Sequence, residues 1–396
     1  MKKDLQQDML DVTQKLRSNI FNWKGQFTPQ FVEYMLSCYT DENSVVADPF
    51  LGSGTVLSES IRKGLSCVGF EVNPSAYYMA SFFEYALMND AERYDVISEV
   101  EELIKSILSG YSDNDMIYNN SSDYRESYCN LLNFASKLAV LSSAKNKSLL
   151  LNILFLSEKD KKKTLKESIM ANFEKMKNNL QTLPHGIQTI KANLGDARNI
   201  GCTYENCIDF ILTSPPYINV FNYHQNYRGI IESFGYDVLS VANSEIGANR
   251  KHRSNRFKTV VQYAIDMGQT LQSCSKALKV GGRMVFVVGR ISTVRGTYFQ
   301  NSRIIKEIVD KIPSLVLEEE NSRQFTNRYG ENIIEDILTI KKVNTEDLSD
   351  SALFEEIGYK QLECALHHVK DDVKQDILDI LNGKRDIQMS PIYSKS

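Results

Sequence analysis

The chain has 396 residues, 42% of them apolar and 24% charged, enough to bury a large core shared among two or three domains. A net charge of −4 excludes a uniformly basic nucleic-acid coat, so any phosphate contact has to come from a local patch. Seven scattered cysteines with no CxxC spacing give no disulfide framework, and five dispersed histidines give no metal site.

Residues 1–23 read as a helical lead-in. Charges near the N-terminus have no apolar stretch behind them, so no secretion signal is expected. Gln26-Phe27-Thr28-Pro29-Gln30-Phe31-Val32 predicts a helix start, with Thr28 as N-cap and Pro29 at the first helical position. Ser44-Val45-Val46-Ala47-Asp48 is a short β-branched run that ends in an acid. Pro49-Phe50-Leu51-Gly52-Ser53-Gly54 follows as a glycine-rich turn, and a helical pattern of Val56, Leu57 and Ile61 begins at Thr55. Strand, loop and helix in this order open the nucleotide site of a doubly wound sheet. The two glycines permit positive φ and close approach of a ligand to the backbone. The loop is neither GxGxxG nor a P-loop. A carboxylate at its strand tip argues against pyrophosphate and for a ligand bearing an ammonium group.

Ser66-Cys67-Val68-Gly69-Phe70-Glu71 predicts a second acid-tipped strand, a position that commonly binds ribose hydroxyls. Residues 76–185 then separate it from the next strand by far more than an ordinary crossover. Tyr94, Val96, Ile97, Val100, Leu103, Ile104, Ile107 and Leu108 recur there at helix spacing, which predicts an inserted helical domain for target recognition or dimer contact. The longest apolar run, residues 149–156, is too short to span a bilayer, and a cytoplasmic location is expected. Gln188-Thr189-Ile190-Lys191-Ala192 is the third strand, leading to Asn193-Leu194-Gly195-Asp196-Ala197 with an acid again at the tip.

The fourth strand, Cys207-Ile208-Asp209-Phe210-Ile211-Leu212, runs into Thr213-Ser214-Pro215-Pro216-Tyr217. Two prolines stop the strand and stiffen the turn, because neither donates a backbone N–H. Ser214 and the Pro215 carbonyl are then fixed acceptors beside the Tyr217 ring, a setting for a planar group that carries an amino nitrogen. Asn219, Asn222, Tyr223, His224, Gln225, Asn226, Tyr227 and Arg228 form a polar-aromatic stretch just after this turn, a candidate lid, or a contact to or stand-in for the extruded base that the resemblance described below implies. Arg250-Lys251-His252-Arg253-Ser254-Asn255-Arg256-Phe257-Lys258 holds five basic residues and no acid. Its place after the double-proline loop marks Arg250, Lys251, Arg253, Arg256 and Lys258 as candidate nucleic-acid contacts. Further strands are expected at 282–288 and 333–340, the last antiparallel at the sheet edge. Residues 343–396 read as charged helix with a loose tail.

Residues 48–55, Asp-Pro-Phe-Leu-Gly-Ser-Gly-Thr, together with Thr213-Ser214-Pro215-Pro216-Tyr217, resemble the amino-group DNA methyltransferases, which use S-adenosylmethionine (AdoMet). The first stretch matches their cofactor motif and the second their catalytic motif, while Phe27-Thr28-Pro29 resembles the segment preceding the cofactor motif. The resemblance covers residues 24–75 and 188–342. It implies an α/β fold with a doubly wound, mostly parallel sheet of the Rossmann-like AdoMet methyltransferase type, into which residues 76–185, outside the resemblance, read by their own pattern as an inserted helical domain. The expected organisation is 1–75, 76–185, 186–342 and 343–396.

The resemblance also implies roles. Thr28 with Pro29, and the loop from Pro49 and Phe50 through Gly52, Ser53 and Gly54 to Thr55, would hold the methionine moiety. Asp48 would face its ammonium, Glu71 with Asn73 the ribose, and Asp196 with Ala197 the adenine. Ser214, Pro215, Pro216 and Tyr217 would bind the extruded base. DNA is the implied partner, with a cognate restriction endonuclease acting separately and no metal or membrane. The cofactor motif precedes the catalytic motif here, the reverse of many serine-type relatives, so either the insertion or the segment after the catalytic loop is open as the recognition region.

An exocyclic amino nitrogen is a poor nucleophile because its lone pair is delocalised. Hydrogen bonds from it to Ser214 and the Pro215 carbonyl localise that pair, and positioning then carries the reaction. Carbon-5 methylation of cytosine would need a cysteine after a proline, and none of the eight prolines has one. A serine in the first catalytic position resembles the N4-cytosine enzymes more than the N6-adenine ones, so the resemblance implies N4 of cytosine ahead of N6 of adenine. An RNA base methyltransferase and a non-catalytic nucleic-acid-binding protein remain the alternatives.

Overall fold

The computed structural model describes residues 5–13, 16–219, 222–248, 252, 254–326, 330–347 and 352–393. Five parallel strands, β1 (Val45–Asp48), β2 (Ser66–Glu71), β3 (Ile190–Leu194), β4 (Ile208–Thr213) and β5 (Leu278–Gly289), form most of one sheet. A hairpin of β6 (Ile291–Val294) and β7 (Thr297–Gln300) stands apart. β8 (Leu315–Thr326) and β9 (Asn332–Lys342) complete a seven-stranded sheet of order β3-β2-β1-β4-β5-β9-β8. The sheet is thus doubly wound and mostly parallel. Its direction of growth reverses between β1 and β4, and a crevice opens at the carboxyl ends of strands flanking such a reversal.

Parallel strands are covered on both faces, which is why β1, β2 and β4 read as continuous apolar runs. Alternate residues feed two cores. Val46, Phe210, Leu212 and Val285 face one, while Ala47, Ile211, Met284 and Phe286 face the other. The first core is closed by helices Pro29–Tyr39, Asp90–Leu108, Cys129–Leu141, Lys147–Ser157 and Leu165–Gln181. Two of these start at capping boxes, Asn89 with Glu92 and Thr164 with Glu167. Helices Lys258–Ala277, Asn301–Val309, Ala352–Ala365 and Asp371–Leu381 close the second. No helix among the described residues is long and apolar enough to cross a membrane.

Three expectations need correction, and two elements went unforeseen. β9 pairs antiparallel as foreseen, but on both sides, with β5 and β8, so the edge belongs to β8. β8 was hidden by its acidic run Glu318-Glu319-Glu320, the charge that keeps an edge from pairing elsewhere. Among the described lead-in residues only Gln7–Asp11 is helical; the remainder is irregular and plugs the first core with Phe21 and Trp23. The β6–β7 hairpin went unforeseen because its turn is Arg295-Gly296, both at positive φ, rather than an Asn-Gly signal. The last described residues are not a loose tail: Ser390 is fully buried and Tyr393 nearly so.

Candidate active site

The carboxyl ends of β1 to β4 open into one cleft enclosing about 1100 Å³ of space open to solvent. Asp48, Pro49, Phe50, Gly52 and Thr55 line it from the first loop, Glu71 and Asn73 from the second, Asp196 and Ala197 from the third. Ser214, Pro215, Pro216 and Tyr217 line it from the fourth. Thr28, Pro29, Ser53 and Gly54 do not line the cleft and stand behind it. Ser53 Oγ donates to Gln26 Oε1 (2.6 Å), and Gln26 is a lining residue. Gly54 sits at φ +86°, where the chain turns into helix Thr55–Arg62; a Cβ there would lie 2.8 Å from Ala80 Cα. Thr28 precedes helix Pro29–Tyr39 as expected, but its hydroxyl caps nothing and is buried without a hydrogen-bond partner.

The tips of β1 and β4 are joined directly: Thr213 Oγ1 donates to Asp48 Oδ1 at 2.6 Å, which also accepts from the Phe50 N–H at 3.0 Å. Glu71 accepts from Gly52 N–H and Asn73 N–H, both at 2.8 Å, so it ties the first loop to the second. Among the described residues, neither carboxylate pairs with a cationic side chain. Burial pushes Asp48 up to about 7 and Glu71 up to about 8, against the pull of those hydrogen bonds. Asn73 Oδ1 accepts from Ser75 N–H, which leaves the buried Nδ2 without an acceptor. Two unneutralised acids and an unused amide donor form a set that a ligand with an ammonium, hydroxyls and an acceptor would satisfy. AdoMet has those groups and fits these residues.

At the tip of β3 the chemistry differs from the expectation in detail. Asp196 lies in the cleft wall, yet its carboxylate is already occupied. Arg198 Nε donates to Oδ1 (2.8 Å), Nη2 to Oδ2 (2.6 Å) and the Arg198 backbone N–H to Oδ1 (3.0 Å), while Tyr393 N–H approaches Oδ2 at 3.4 Å. Asp196 also acts as N-cap of the short turn Ala197–Asn199. Arg198 reaches on to Asp266 and to the carbonyls of Ser390 and Pro391. With its acceptor positions filled, Asp196 holds the strand tip in shape, and backbone and Ala197 are left to face a ligand.

On β4, Ser214 Oγ lies 3.4 Å from the Tyr217 hydroxyl, which donates to Glu335 Oε1 at 3.1 Å. Burial holds the Tyr217 hydroxyl well above its ordinary pKa.

Two lining residues that the sequence reading did not single out are Trp23 and Glu245, and Tyr223, from the polar-aromatic stretch, lines the cleft beside them. Trp23 stacks on Tyr223 with centroids 5.9 Å apart, and its ring edge fits where Gly52 has no side chain. The only tryptophan of the chain, two residues before Gly25, was the available signal. Glu245 sits in no motif. It accepts from the His224 backbone N–H (2.8 Å), and its other oxygen lies 2.7 Å from His224 Nδ1. Of the polar-aromatic stretch, Tyr223, His224 and Tyr227 are therefore packed in place, Tyr227 against Phe155. In the basic run, Arg250, Lys251 and Arg253 lie outside the described residues. Arg256 and Lys258 are partly exposed at the start of helix Lys258–Ala277, away from the cleft lining. No cluster of three or more metal-binding side chains occurs among the described residues.

Residues 4–82 match a family model of N6/N4 type described as DNA methylase. Over 73 residues the chain is 34% identical to the Type II methyltransferase M.MjaII of Methanocaldococcus jannaschii, a match to 18% of this chain and 14% of that protein. A SAM-dependent methyltransferase from Methanosarcina mazei superposes with TM-score 0.35 at 10% identity, covering 78% of this chain and 98% of that one. An rRNA methylase from Streptococcus thermophilus does so with TM-score 0.31 at 10% identity, covering 81% and 98%.

Proposed function

We propose, for a chain that resembles the DNA methylases over residues 4–82, that it is an AdoMet-dependent DNA methyltransferase acting on the exocyclic amino group of an extruded base. The observation that carries this reading is the hydrogen bond between Thr213 and Asp48, which fastens the double-proline turn to the acid beside the glycine turn within one cleft. When bound, AdoMet supplies an electrophilic methyl on a sulfonium. The chain supplies position and charge. Asp48 takes the ammonium, Glu71 the ribose hydroxyls, and the Asn73 amide an acceptor of the ligand. Ala197 and the backbone of the β3 tip face the adenine, with Asp196 clamped behind them.

Ser214 Oγ and the Pro215 carbonyl accept from the amino N–H groups of the base and draw its nitrogen toward tetrahedral geometry. The Tyr217 ring lies beside that position. The base has to leave its duplex to reach the cleft. The serine at position 214 resembles the N4-cytosine enzymes more than the N6-adenine ones, and on that resemblance N4 of cytosine is the proposed target, ahead of N6 of adenine. Arg256 and Lys258, with the rest of the basic run, serve the phosphates, and the helices of 76–185 serve target recognition or contact with a second copy. A separate endonuclease of matching specificity is the partner that such methylation would protect against.

Tritium transfer from AdoMet to duplex DNA, RNA or neither tests the reading, and nucleoside digestion identifies the methylated base. Ser214→Ala is expected to abolish transfer while calorimetry shows unchanged AdoMet affinity. Unchanged turnover in that variant would refute the assignment.

A further inference from the structure

We infer that Glu335, held in place by Arg323, acts through Tyr217 as a positioning residue that fixes the Ser214 hydroxyl as an acceptor toward the base. The inference rests on the function proposed above and brings in two residues, Glu335 and Arg323, that lie outside both sequence motifs. Glu335 lies on β9 directly across from Arg323 on β8. Arg323 Nε and Nη2 both grip Glu335 Oε2, at 2.7 and 2.6 Å. The guanidinium itself is stacked 4.1 Å from the centre of the Phe31 ring, with Phe27 and Phe325 at 5.6 Å. Glu335 is therefore not free to turn, and its second oxygen, Oε1, is presented to Tyr217.

A phenol has one proton. A carboxylate only accepts, so the Tyr217 proton is committed to Glu335. The Tyr217 oxygen can then only accept from its other neighbour, Ser214 Oγ. That commits the serine proton in turn and leaves the Ser214 lone pairs for the cleft. A serine without this constraint would rotate among staggered positions and aim its own proton at the amino group part of the time. The Tyr217 ring is also held sideways, because it lies against Gly289 at the end of β5, where a Cβ would come within 2.8 Å of Cε2. The far strands β5, β8 and β9 thus complete a base site whose recognised motif lies on β4 alone.

Removing the Glu335 side chain would strand a buried arginine, so the informative changes are conservative. In Tyr217→Phe the ring stays and the relay is cut. In Glu335→Gln the amide oxygen remains with Arg323 and the NH₂ faces Tyr217, which reverses the direction of both hydroxyls. Tyr217→Phe is expected to lower kcat about tenfold, the equivalent of one misdirected hydrogen bond, and Glu335→Gln by at least as much. KM for DNA, AdoMet affinity by calorimetry and base extrusion followed by 2-aminopurine fluorescence should stay at wild-type values. A ring that serves for stacking alone predicts full activity in Tyr217→Phe, which would overturn the inference.

An independent readout needs no turnover. With 3-fluorotyrosine at position 217, the fluorine resonance should move in both Ser214→Ala and Glu335→Gln. A resonance indifferent to Ser214→Ala would overturn the relay whatever the activity. A wild-type protein that methylates no nucleic acid would defeat the functional reading, while the fluorine response would still decide the hydroxyl direction.

Discussion

Replacing Asp48 with asparagine should make the ligand-free protein more stable at alkaline pH while weakening the proposed AdoMet site. Unfolded, the carboxyl ionises at its ordinary 3.8; folded, burial delays this to about 7. Between those values the native state keeps a proton that the unfolded state has lost. The contribution of Asp48 to stability is therefore complete below pH 3.8 and is lost as pH rises toward 7. At about 1.4 kcal/mol per pH unit, a span of roughly three units costs about 4 kcal/mol, of which about 3 kcal/mol falls between pH 5 and pH 8. Asparagine keeps an oxygen to accept from Thr213 and Phe50 and has no proton to lose. Glu71, raised from 4.5 to about 8, contributes a slope of the same sign in both proteins. Urea unfolding at pH 5 and pH 8 measures the difference: the wild type should lose about 3 kcal/mol more than the variant across that interval. Parallel pH profiles for the two proteins would refute the argument that Asp48 sits buried without compensation. Calorimetry on the same variant should show weakened AdoMet binding, so stability and function would move in opposite directions.

Gly54→Ala should lower stability by about 2–4 kcal/mol, from positive φ combined with a Cβ driven into the Ala80 backbone, and an unchanged melting temperature would contradict that geometry. Arg198→Met leaves Asp196 and Asp266 buried without their shared cation, at a cost of about 3–5 kcal/mol at pH 8. It should also release the segment around Ser390 to limited proteolysis; wild-type resistance would mean that the guanidinium does not hold it. Replacing both Arg256 and Lys258 with alanine should reduce the salt dependence of DNA binding by about 0.9 in slope for each phosphate that is no longer neutralised. An identical slope would remove them from the interface.

The parts of the site that were legible in the sequence are those where one residue type has one physical use. Asp48 and Glu71 stand at strand tips after apolar runs, and Gly52 and Gly54 stand where positive φ is needed; each is found there. Pro215-Pro216 marks a strand end for the same reason. Residues that arrive through tertiary packing left no such trace. Glu245 is an ordinary acid between Ser244 and Ile246 until the fold sets it against His224. Arg323 and Glu335 look like solvated charges, and only the pairing of β8 with β9 reveals them as a buried couple. Asp196 stands just past the tip of β3, and its saturation comes mainly from Arg198, two positions on; only the anchoring of that guanidinium on Asp266 and on the carbonyls of Ser390 and Pro391 lies beyond the reach of local pattern.

The edge strand β8 is covered by the beginning of the chain: Gln7 Nε2 donates to the Ser322 carbonyl at 2.8 Å, and Gln324 N–H donates to Asp11 at 2.7 Å. These partners are separated by 315 and 313 positions. At synthesis rates of roughly 5–20 residues per second, the first helix has to wait about 15–60 s on the ribosome before its docking surface exists. Its pairing with β8 is thus among the last events of assembly, and in a nascent chain stalled before β8 is made this helix would rest only on the first core, through Leu10 and the bond from Gln6 N–H to Tyr34.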